Sequence, residues 1–205
     1  MTQETVWVSP ALNDSSLVKF FTSSLFENDG KFAADAMHAN YRGEPQSQDR
    51  FPKSLHLRYP DKKYKSLPDL FNAGGFWVVS SEMIRVMQEF ELGRTSFYET
   101  RLFQNDRTTL IDDNYSCISF GETKSAFEPS ESQRSRLFQP NLWIVPGGLK
   151  DNEIAINESA LNGVDFWIDT KLRKSLFFSN RLAQALKAAK LANRLRLKKC
   201  KMVEN

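Results

Sequence analysis

Residues 164–200 begin with Val-Asp-Phe-Trp-Ile-Asp and continue, from residue 176, with Leu-Phe-Phe-Ser-Asn-Arg-Leu-Ala-Gln-Ala-Leu-Lys-Ala-Ala. The apolar run Leu176-Phe177-Phe178 predicts a buried strand, and Ser179 or Asn180 can accept the free N–H groups of a following helix. Apolar residues at the spacing i, i+3, i+4, i+7 form one buried helix face; they are Leu182, Ala185, Leu186 and Ala189. We place the helix end near Asn193 and a second strand just after it, where leucine alternates with arginine.

A similar pattern occurs earlier in the chain, with Trp77 in the place of Leu176. The shared features are a strand-like run, a serine cap at Ser80 and a helix stripe in the same phase. The earlier stripe consists of Met83, Val86, Met87 and Phe90. Strand–helix–strand is a common unit, so chance similarity is the alternative to an internal repeat near residues 76–102 and 175–201.

These patterns predict the α+β class, with two related strand–helix–strand halves and mostly antiparallel sheet around one core. Turn residues at 104–106 and 112–114 favour an antiparallel meander. We expect residues 1–205 to form a single globular domain, in which residues 1–65 are the least defined part. The polar residues 121–141 are predicted to form a long surface loop.

The composition is that of an ordinary globular protein. Of the 205 residues, 40% are hydrophobic and 26% are charged, and the cysteines are Cys117 and Cys200. Neither a disulfide framework nor a secretory signal is visible. No apolar run approaches the ~20 residues needed to span a membrane. The sequence therefore favours a cytoplasmic protein without a membrane partner.

Charge is distributed unevenly along the chain. Residues 171–205 contain eleven Lys or Arg and one acidic residue, Glu204, although the whole chain has a net charge of only +3. One interpretation is that this basic end is attracted to the acidic remainder of the chain or is simply the solvated face of an amphipathic unit; the other is a patch that binds phosphate or an acidic partner surface. Lys198 and Lys199 would belong to a nucleic-acid-binding patch, but no known nucleic-acid-binding motif is present. Nucleic acid is therefore the less favoured partner.

The sequence contains no recognisable catalytic or cofactor motif. The two histidines are far apart and lack neighbouring metal ligands. Two acidic pairs are candidate cation or acid–base sites. For Asp112 and Asp113 the alternative is turn formation. For Asp165 and Asp169, which would share one face of a strand, the alternative is capping and solvation. We predict no catalytic residue, no metal and no cofactor, with an enzyme that uses an unrecognised site as the alternative.

Six motifs stand out along the chain: Leu67-Pro68-Asp69-Leu70-Phe71, Gly75-Phe76-Trp77-Val78-Val79-Ser80, Phe90-Glu91-Leu92-Gly93, Phe120-Gly121-Glu122-Thr123-Lys124, Asp165-Phe166-Trp167-Ile168-Asp169 and the run from Phe178 to Ala189. In this order they resemble the motifs of a bacterial family of polymorphic-toxin immunity proteins, immunity family eleven. Two residues depart from the family pattern: Glu91 replaces the expected Asp, and Phe166 replaces the commoner Leu. The resemblance begins at residue 67 and does not include residues 1–65.

The resemblance implies a small cytoplasmic bacterial protein that binds and blocks a cognate toxin domain encoded nearby, and it implies no catalytic residue. Toxins that act on nucleic acid tend to be basic, so we expect the toxin to contact the acidic part of the chain. The candidate partner-binding residues are Glu99, Asp112, Asp113 and Glu122, with Tyr115 as an aromatic anchor.

Overall fold

A computed structural model describes residues 5–145 and 147–204, which form four α-helices and seventeen short strands. The helices are α1 (Ser24–Asn28), α2 (Gly30–Tyr41), α3 (Ser81–Met87) and α4 (Asn180–Ala188). The strands are β1 (Val6–Ser9), β2 (Val18–Lys19), β3 (Phe21–Thr22), β4 (Ser54–Leu57), β5 (Leu70–Ala73), β6 (Phe76–Ser80), β7 (Ser96–Phe103), β8 (Leu110–Ser119), β9 (Thr123–Lys124), β10 (Arg136–Gln139), β11 (Leu142–Ile144), β12 (Ala155–Asn157), β13 (Phe166–Asp169), β14 (Leu172–Arg173), β15 (Leu176–Ser179), β16 (Lys198–Lys199) and β17 (Lys201–Val203). None of the helices in these described residues has the length and apolar character of a membrane span.

Two large sheets contain most of the strands. The seven-stranded sheet has the order β2-β5-β6-β8-β7-β4-β3, and the five-stranded sheet has the order β16-β1-β15-β13-β9. Smaller sheets are formed by β10-β11-β14 and by β12-β17. Eight of the thirteen strand pairs are antiparallel. The α+β class with mostly antiparallel pairing is therefore confirmed.

Each large sheet contains a unit in which an antiparallel hairpin leads directly into a helix. The units are β5-β6-α3 and β13-β15-α4. Ser80 caps α3 by accepting the N–H three residues on at 3.2 Å, and its hydroxyl donates to the Asp69 carboxylate at 2.8 Å. Ser179 makes the same two contacts, at 3.3 Å with the N–H of α4 and at 2.6 Å with Asp165. The two units therefore share their capping chemistry as well as their order of elements.

The buried stripe of α4 has the predicted phase but ends earlier than predicted. Leu182, Ala183 and Leu186 are buried, whereas Ala189, the last predicted stripe residue, is exposed. In α3 the equivalent buried residues are Met83, Ile84 and Met87. The predicted stripe therefore extends one turn too far in α4, whereas in the earlier unit Phe90 lies beyond the end of α3 but still packs, partly buried, against the core.

The predicted helix stop at Asn193 and the strand after it are wrong. Helix α4 ends at Ala188, and the N–H of Leu191 donates to the Leu186 carbonyl at 2.9 Å, which is the six-to-one bond of a Schellman motif. Lys190 has a φ of 62° at the position that usually requires glycine. The chain then makes a second turn with Arg196 at a φ of 50°, and strand β16 begins only at residue 198.

One apolar cluster is shared by the two large sheets and by helices α3 and α4. Its members include Trp77, Val79, Met87, Phe166, Leu176, Phe178 and Leu186. Because successive strand residues point to opposite faces, Val78 and Phe177 belong to other clusters. Val78 packs in a cluster with Ala33 and Ala36 of α2, and Phe177 packs in a cluster with Ile154. The central strands β6 and β15 are thus buried on both faces, which explains why they are almost continuously apolar.

The predicted surface loop at residues 121–141 contains two strands. Strand β9 pairs with β13 in the five-stranded sheet, and β10 forms a hairpin with β11. The hairpin is joined to the rest of the protein through β14, and the Trp143 N–H donates to the Lys171 carbonyl at 2.8 Å. The polar composition of this stretch thus reflects exposure of a strand rather than an irregular loop.

Candidate partner-binding surface

Four of the five predicted partner-binding residues, Glu99, Asp112, Asp113 and Tyr115, lie on the hairpin formed by β7 and β8. Its turn is closed by Asp106, whose carboxylate accepts the N–H groups of Thr108 and Thr109 at 2.9 and 2.8 Å and the Thr109 hydroxyl at 2.6 Å. These bonds, chiefly those from Thr109, lower the pKa of Asp106 to about 2. The turn is therefore held by an ionised carboxylate at neutral pH.

The turn predicted at residues 112–114 is instead a bulge within β8. Asp112 pairs with Leu102 and Tyr115 pairs with Thr100, so β8 has one more residue than β7 between these two pairs. The Asp112 carboxylate accepts the Asn114 N–H at 2.9 Å and the Asn114 side-chain amide at 3.0 Å. These local bonds stabilise the bulge in the way that they would stabilise a turn.

The bulge and its neighbouring strand present acidic side chains to solvent. Asp113 and Glu99 are exposed, and Asp112 is half-buried. Glu99 lies opposite Ser116, and along β7 it is three residues, or roughly 10 Å, from Leu102, the partner of Asp112. The structure therefore brings these three acidic residues together on one hairpin.

Tyr115 belongs to the apolar core under this surface. The residue is 7% exposed, its ring meets Phe71 edge-on at 5.4 Å, and its hydroxyl donates to the Leu67 carbonyl at 3.2 Å. Burial, with Asp112 and Asp69 nearby, raises the pKa of Tyr115 to about 12. Its side chain thus supports the strand that carries the acidic residues.

Glu122 lies away from this hairpin, beside the turn at residues 92–95. Its carboxylate accepts the backbone N–H of Arg94 at 2.9 Å and the Arg94 side-chain Nε–H at 3.0 Å. The Ile168 N–H donates to the Glu122 carbonyl at 3.0 Å. Glu122 therefore connects the chain that precedes β7 to the five-stranded sheet.

Lys124, two residues further on, holds the chain that precedes β13. Its ammonium donates to the carbonyls of Ala160, Asn162 and Val164 at 2.9, 2.7 and 3.1 Å. The same group lies 3.7 Å from the centre of the Trp167 ring, in a cation–π contact. Burial lowers the pKa of Lys124 to about 8, against the opposing effect of the Asp165 charge.

Asp165 connects the two units of the fold. Its carboxylate accepts the Glu91 N–H at 2.9 Å and the Ser179 hydroxyl at 2.6 Å, and it forms a bidentate pair with Arg181. The Asp165 N–H also donates to the Glu91 carbonyl at 2.7 Å. Burial opposes ionisation, but the bonds from Arg181, Ser179 and Glu91 outweigh it and lower the pKa of Asp165.

Asp169 is satisfied separately from Asp165, so the two do not form a shared carboxylate site. Its carboxylate accepts the N–H groups of Ala126, Phe127 and Lys171 at 2.7, 2.9 and 2.9 Å. Burial raises the pKa of Asp169 in spite of these bonds. Within residues 5–145 and 147–204, no group of three His, Cys, Asp or Glu side chains is arranged to hold a metal ion.

Part of the basic C-terminal charge is neutralised within the protein. Arg181 pairs with Asp165, Arg196 pairs with Asp14 at 2.9 Å, and Lys201 pairs with Glu131 at 2.8 Å. The Lys187 ammonium lies 3.1 Å from the centre of the Trp7 ring. These contacts fit the interpretation of a basic face that is attracted to the acidic remainder of the chain.

The contribution of Asp165 to stability is expected to depend on pH. Because its pKa is lowered on folding, the stabilisation is fully present above the ordinary carboxyl pKa of about 4 and is lost as the pH falls through the folded value. Arg181 is 65% exposed, so its charge contributes little. We expect Asp165→Asn to lower the free energy of unfolding by about 2 kcal/mol at pH 7, through the buried bonds to Glu91 and Ser179.

The measurement is urea unfolding of the wild type and Asp165→Asn between pH 7 and pH 3. The difference in the free energy of unfolding between the two proteins should narrow below about pH 4. The raised pKa of Asp169 gives the opposite pH dependence, but both proteins contain Asp169, so its effect cancels in the comparison. Asp113→Asn, at an exposed carboxylate, is the control and should change stability by less than about 0.5 kcal/mol. A difference that stayed constant down to pH 3 would contradict the assigned role of the Asp165 charge.

Most of the chain matches a known protein family. Residues 20–201 match the model of the Immunity protein family (Imm11). The match begins well before residue 67, where the recognised motifs begin, so it includes most of the N-terminal part that the motifs leave out. No curated protein matches the chain. The charged motif residues Glu122, Lys124, Asp165 and Asp169 are all engaged in hydrogen bonds within the protein.

Proposed function

Since the chain belongs to the Imm11 immunity protein family, we propose that it binds and neutralises a cognate toxin domain through non-catalytic contact between the two proteins. The match over residues 20–201 is the observation that carries this proposal. The protein would act in the cytoplasm of the bacterium that makes the toxin, and the toxin would be encoded by a neighbouring gene. An inhibitor of this kind needs a rigid complementary surface and no reactive group.

The β7–β8 hairpin, which carries Glu99, Asp112 and Asp113, is our candidate for that surface, and we call it the acidic hairpin. The charged motif residues Glu122, Lys124, Asp165 and Asp169 are engaged within the protein. Glu99 and Asp113, in contrast, have side chains directed to solvent on a hairpin that is held by the buried Tyr115. Two exposed carboxylates on a fixed strand pair, with Asp112 beside Asp113, would attract a basic toxin surface and accelerate association.

Charge reversal tests this assignment. We expect Asp112→Lys with Asp113→Lys to weaken binding of the toxin domain by at least roughly tenfold, mainly through slower association at low salt. The measurement is surface plasmon resonance with the product of the adjacent toxin gene, together with survival of cells that express both proteins. Circular dichroism should show that the variant is folded.

The matched control carries the same change in net charge elsewhere. Asp35 on α2 and Glu158 are also exposed, so Asp35→Lys with Glu158→Lys should bind the toxin domain as the wild type does. Unchanged affinity in the Asp112/Asp113 variant would exclude the hairpin as the binding surface. Failure of the wild type to bind or protect would refute the proposed function itself.

A further inference from the structure

The β10–β11 hairpin carries an apolar surface that none of the other residues described by the structure covers. All four residues of β10 are exposed, and Leu137, at 62%, is the most exposed large hydrophobic residue of the part that the structure describes. Phe138 beside it is 46% exposed. The other strand is more protected, because β11 pairs with β14 and the Trp143 ring contacts Phe127. The hairpin therefore has a fixed base and an uncovered outer strand.

Strand β10 is also an edge. It ends the order β10-β11-β14, and among residues 5–145 and 147–204 no strand pairs with its other side. An edge strand offers backbone N–H and C=O groups to any extended chain that reaches it. The pairing with β11 is irregular between Leu137 and Gln139, which twists the edge but leaves it open. A fourth strand could thus be added by a partner.

A cleft adjoins this edge. Its volume is about 550 Å³, and it separates the hairpin from the C-terminal end of α2. Its lining includes Phe138, Leu142, Ile168, Tyr41, Arg42 and Arg173. The Arg173 guanidinium lies 4.8 Å from the centre of the Phe138 ring, so a cation stands beside the exposed aromatic group. The cleft can therefore take an apolar side chain with a negative charge next to it.

The charges around the edge select between possible occupants. Arg136, Lys171 and Arg173 have no carboxylate within ion-pair distance among the described residues. The nearby carboxylates are engaged, since Glu44 is bound bidentately by Arg42 and Asp169 accepts backbone N–H groups. A second copy of the chain would bring the same three cations together, which is unfavourable. An acidic chain would pair with them.

We propose that the outer edge of β10 and the adjoining cleft bind an extended acidic segment of the cognate toxin protein. This segment adds to the sheet as a strand and places an apolar side chain against Phe138. This inference rests on the proposed function, but it concerns a surface other than the acidic hairpin. Main-chain pairing supplies affinity in such complexes, and the side-chain cleft supplies specificity.

The test combines substitution with amide hydrogen exchange on the complex of the full chain with the product of the adjacent toxin gene. Leu137→Ser with Phe138→Ser should weaken binding by at least roughly tenfold, as expected for central apolar contacts, and Arg136→Glu with Arg173→Glu should do the same. The amides of residues 136–139 should exchange more slowly in the complex than in the free protein. The control is Val18→Ser with Phe20→Ser, at side chains that are 50% and 46% exposed elsewhere, and it should bind as the wild type does.

Each result bears on a different statement. The inference is overturned, and the proposed function left intact, if the Leu137/Phe138 and Arg136/Arg173 variants both form the complex normally and the amides of residues 136–139 are not protected from exchange in it. If the free wild type dimerises and Leu137→Ser with Phe138→Ser abolishes the dimer, a second copy of the chain is the occupant. That result also overturns the inference. If no complex forms with the wild type, the proposed function and this inference both fail.

Discussion

Gly121→Ala is expected to destabilise the protein by more than about 3 kcal/mol, because no space exists for the added methyl group. A Cβ at this position would lie 2.1 Å from the carbonyl oxygen of Arg94, 2.2 Å from its carbonyl carbon and 2.5 Å from the backbone nitrogen of Thr95. All three are backbone atoms, so no side chain can rotate away to relieve the contact. The turn at residues 92–95 would have to separate from the chain that enters β9.

The separation would also break the contacts that surround Gly121. Its N–H donates to the Thr95 hydroxyl at 3.3 Å, and the neighbouring Glu122 holds Arg94 through two hydrogen bonds. Since this stretch connects β8 of the seven-stranded sheet to β9 of the five-stranded sheet, the damage would reach both. Glycine at this position of the motif is thus explained by close backbone approach.

Gly30→Ala is the matched control. Gly30 is the first residue of α2, and an added Cβ would meet no atom within 4 Å. The same chemical change should therefore leave stability unchanged or raise it by about 0.5 kcal/mol, through reduced entropy of the unfolded chain. Urea unfolding of both variants at pH 7 is the measurement. A Gly121→Ala protein within 1 kcal/mol of the wild type would contradict the close approach.

Local signals in the sequence were sufficient to predict the strand and the capped start of the helix in the two units that contain α3 and α4. The serines that cap α3 and α4 are in place, and the helical stripes have the predicted phase. Both signals depend on residues within one turn of each other, so a linear pattern contains them. The contacts of Asp69 and Asp165 with these serines extend the similarity to the residue just before the first strand of each hairpin, which the aligned pattern did not include.

The helix end and the turn that follows it could not be predicted for a definite physical reason. Lys190 and Arg196 adopt left-handed φ angles of 62° and 50°, which the chain usually gives to glycine or asparagine. The compensating interactions are tertiary, since Leu191 and Leu195 are buried and Arg196 pairs with Asp14. Because these partners lie far away in sequence, the alternation near Leu195 suggested a strand instead.

The candidate surface shows the same division between local and tertiary information. Charge and turn chemistry identified Asp112 and Asp113 as surface residues, and Asp113 is exposed. The exposure of Tyr115 depends on which strand face it occupies, and one extra residue in the bulge shifts that face relative to β7. The edge at β10 was missed because a polar composition resembles a loop, and only the pairing of Arg136 to Gln139 with β11 reveals a strand.

Leu186→Asp is expected to prevent folding, with a loss of more than about 4 kcal/mol in the free energy of unfolding. Leu186 is completely buried in the cluster that the two large sheets share with α3 and α4. The cluster around Leu186 consists of apolar side chains. A carboxylate there would therefore be ionised without a partner or protonated, and either state costs free energy. The substitution also removes the largest side chain on the last turn of the buried face of α4.

Gln184→Asp introduces the same charge on the exposed face of the same helix, and it should cost less than about 1 kcal/mol. The measurement is the yield of soluble protein, with indole resonances of Trp77 and Trp167 followed by NMR. Trp77 lies in the seven-stranded sheet and Trp167 in the five-stranded sheet. Because the Leu186 cluster joins these sheets, both resonances should lose their native dispersion together in Leu186→Asp and keep it in Gln184→Asp. Loss of one signal alone would mean that the sheet with the remaining signal folds without the shared cluster.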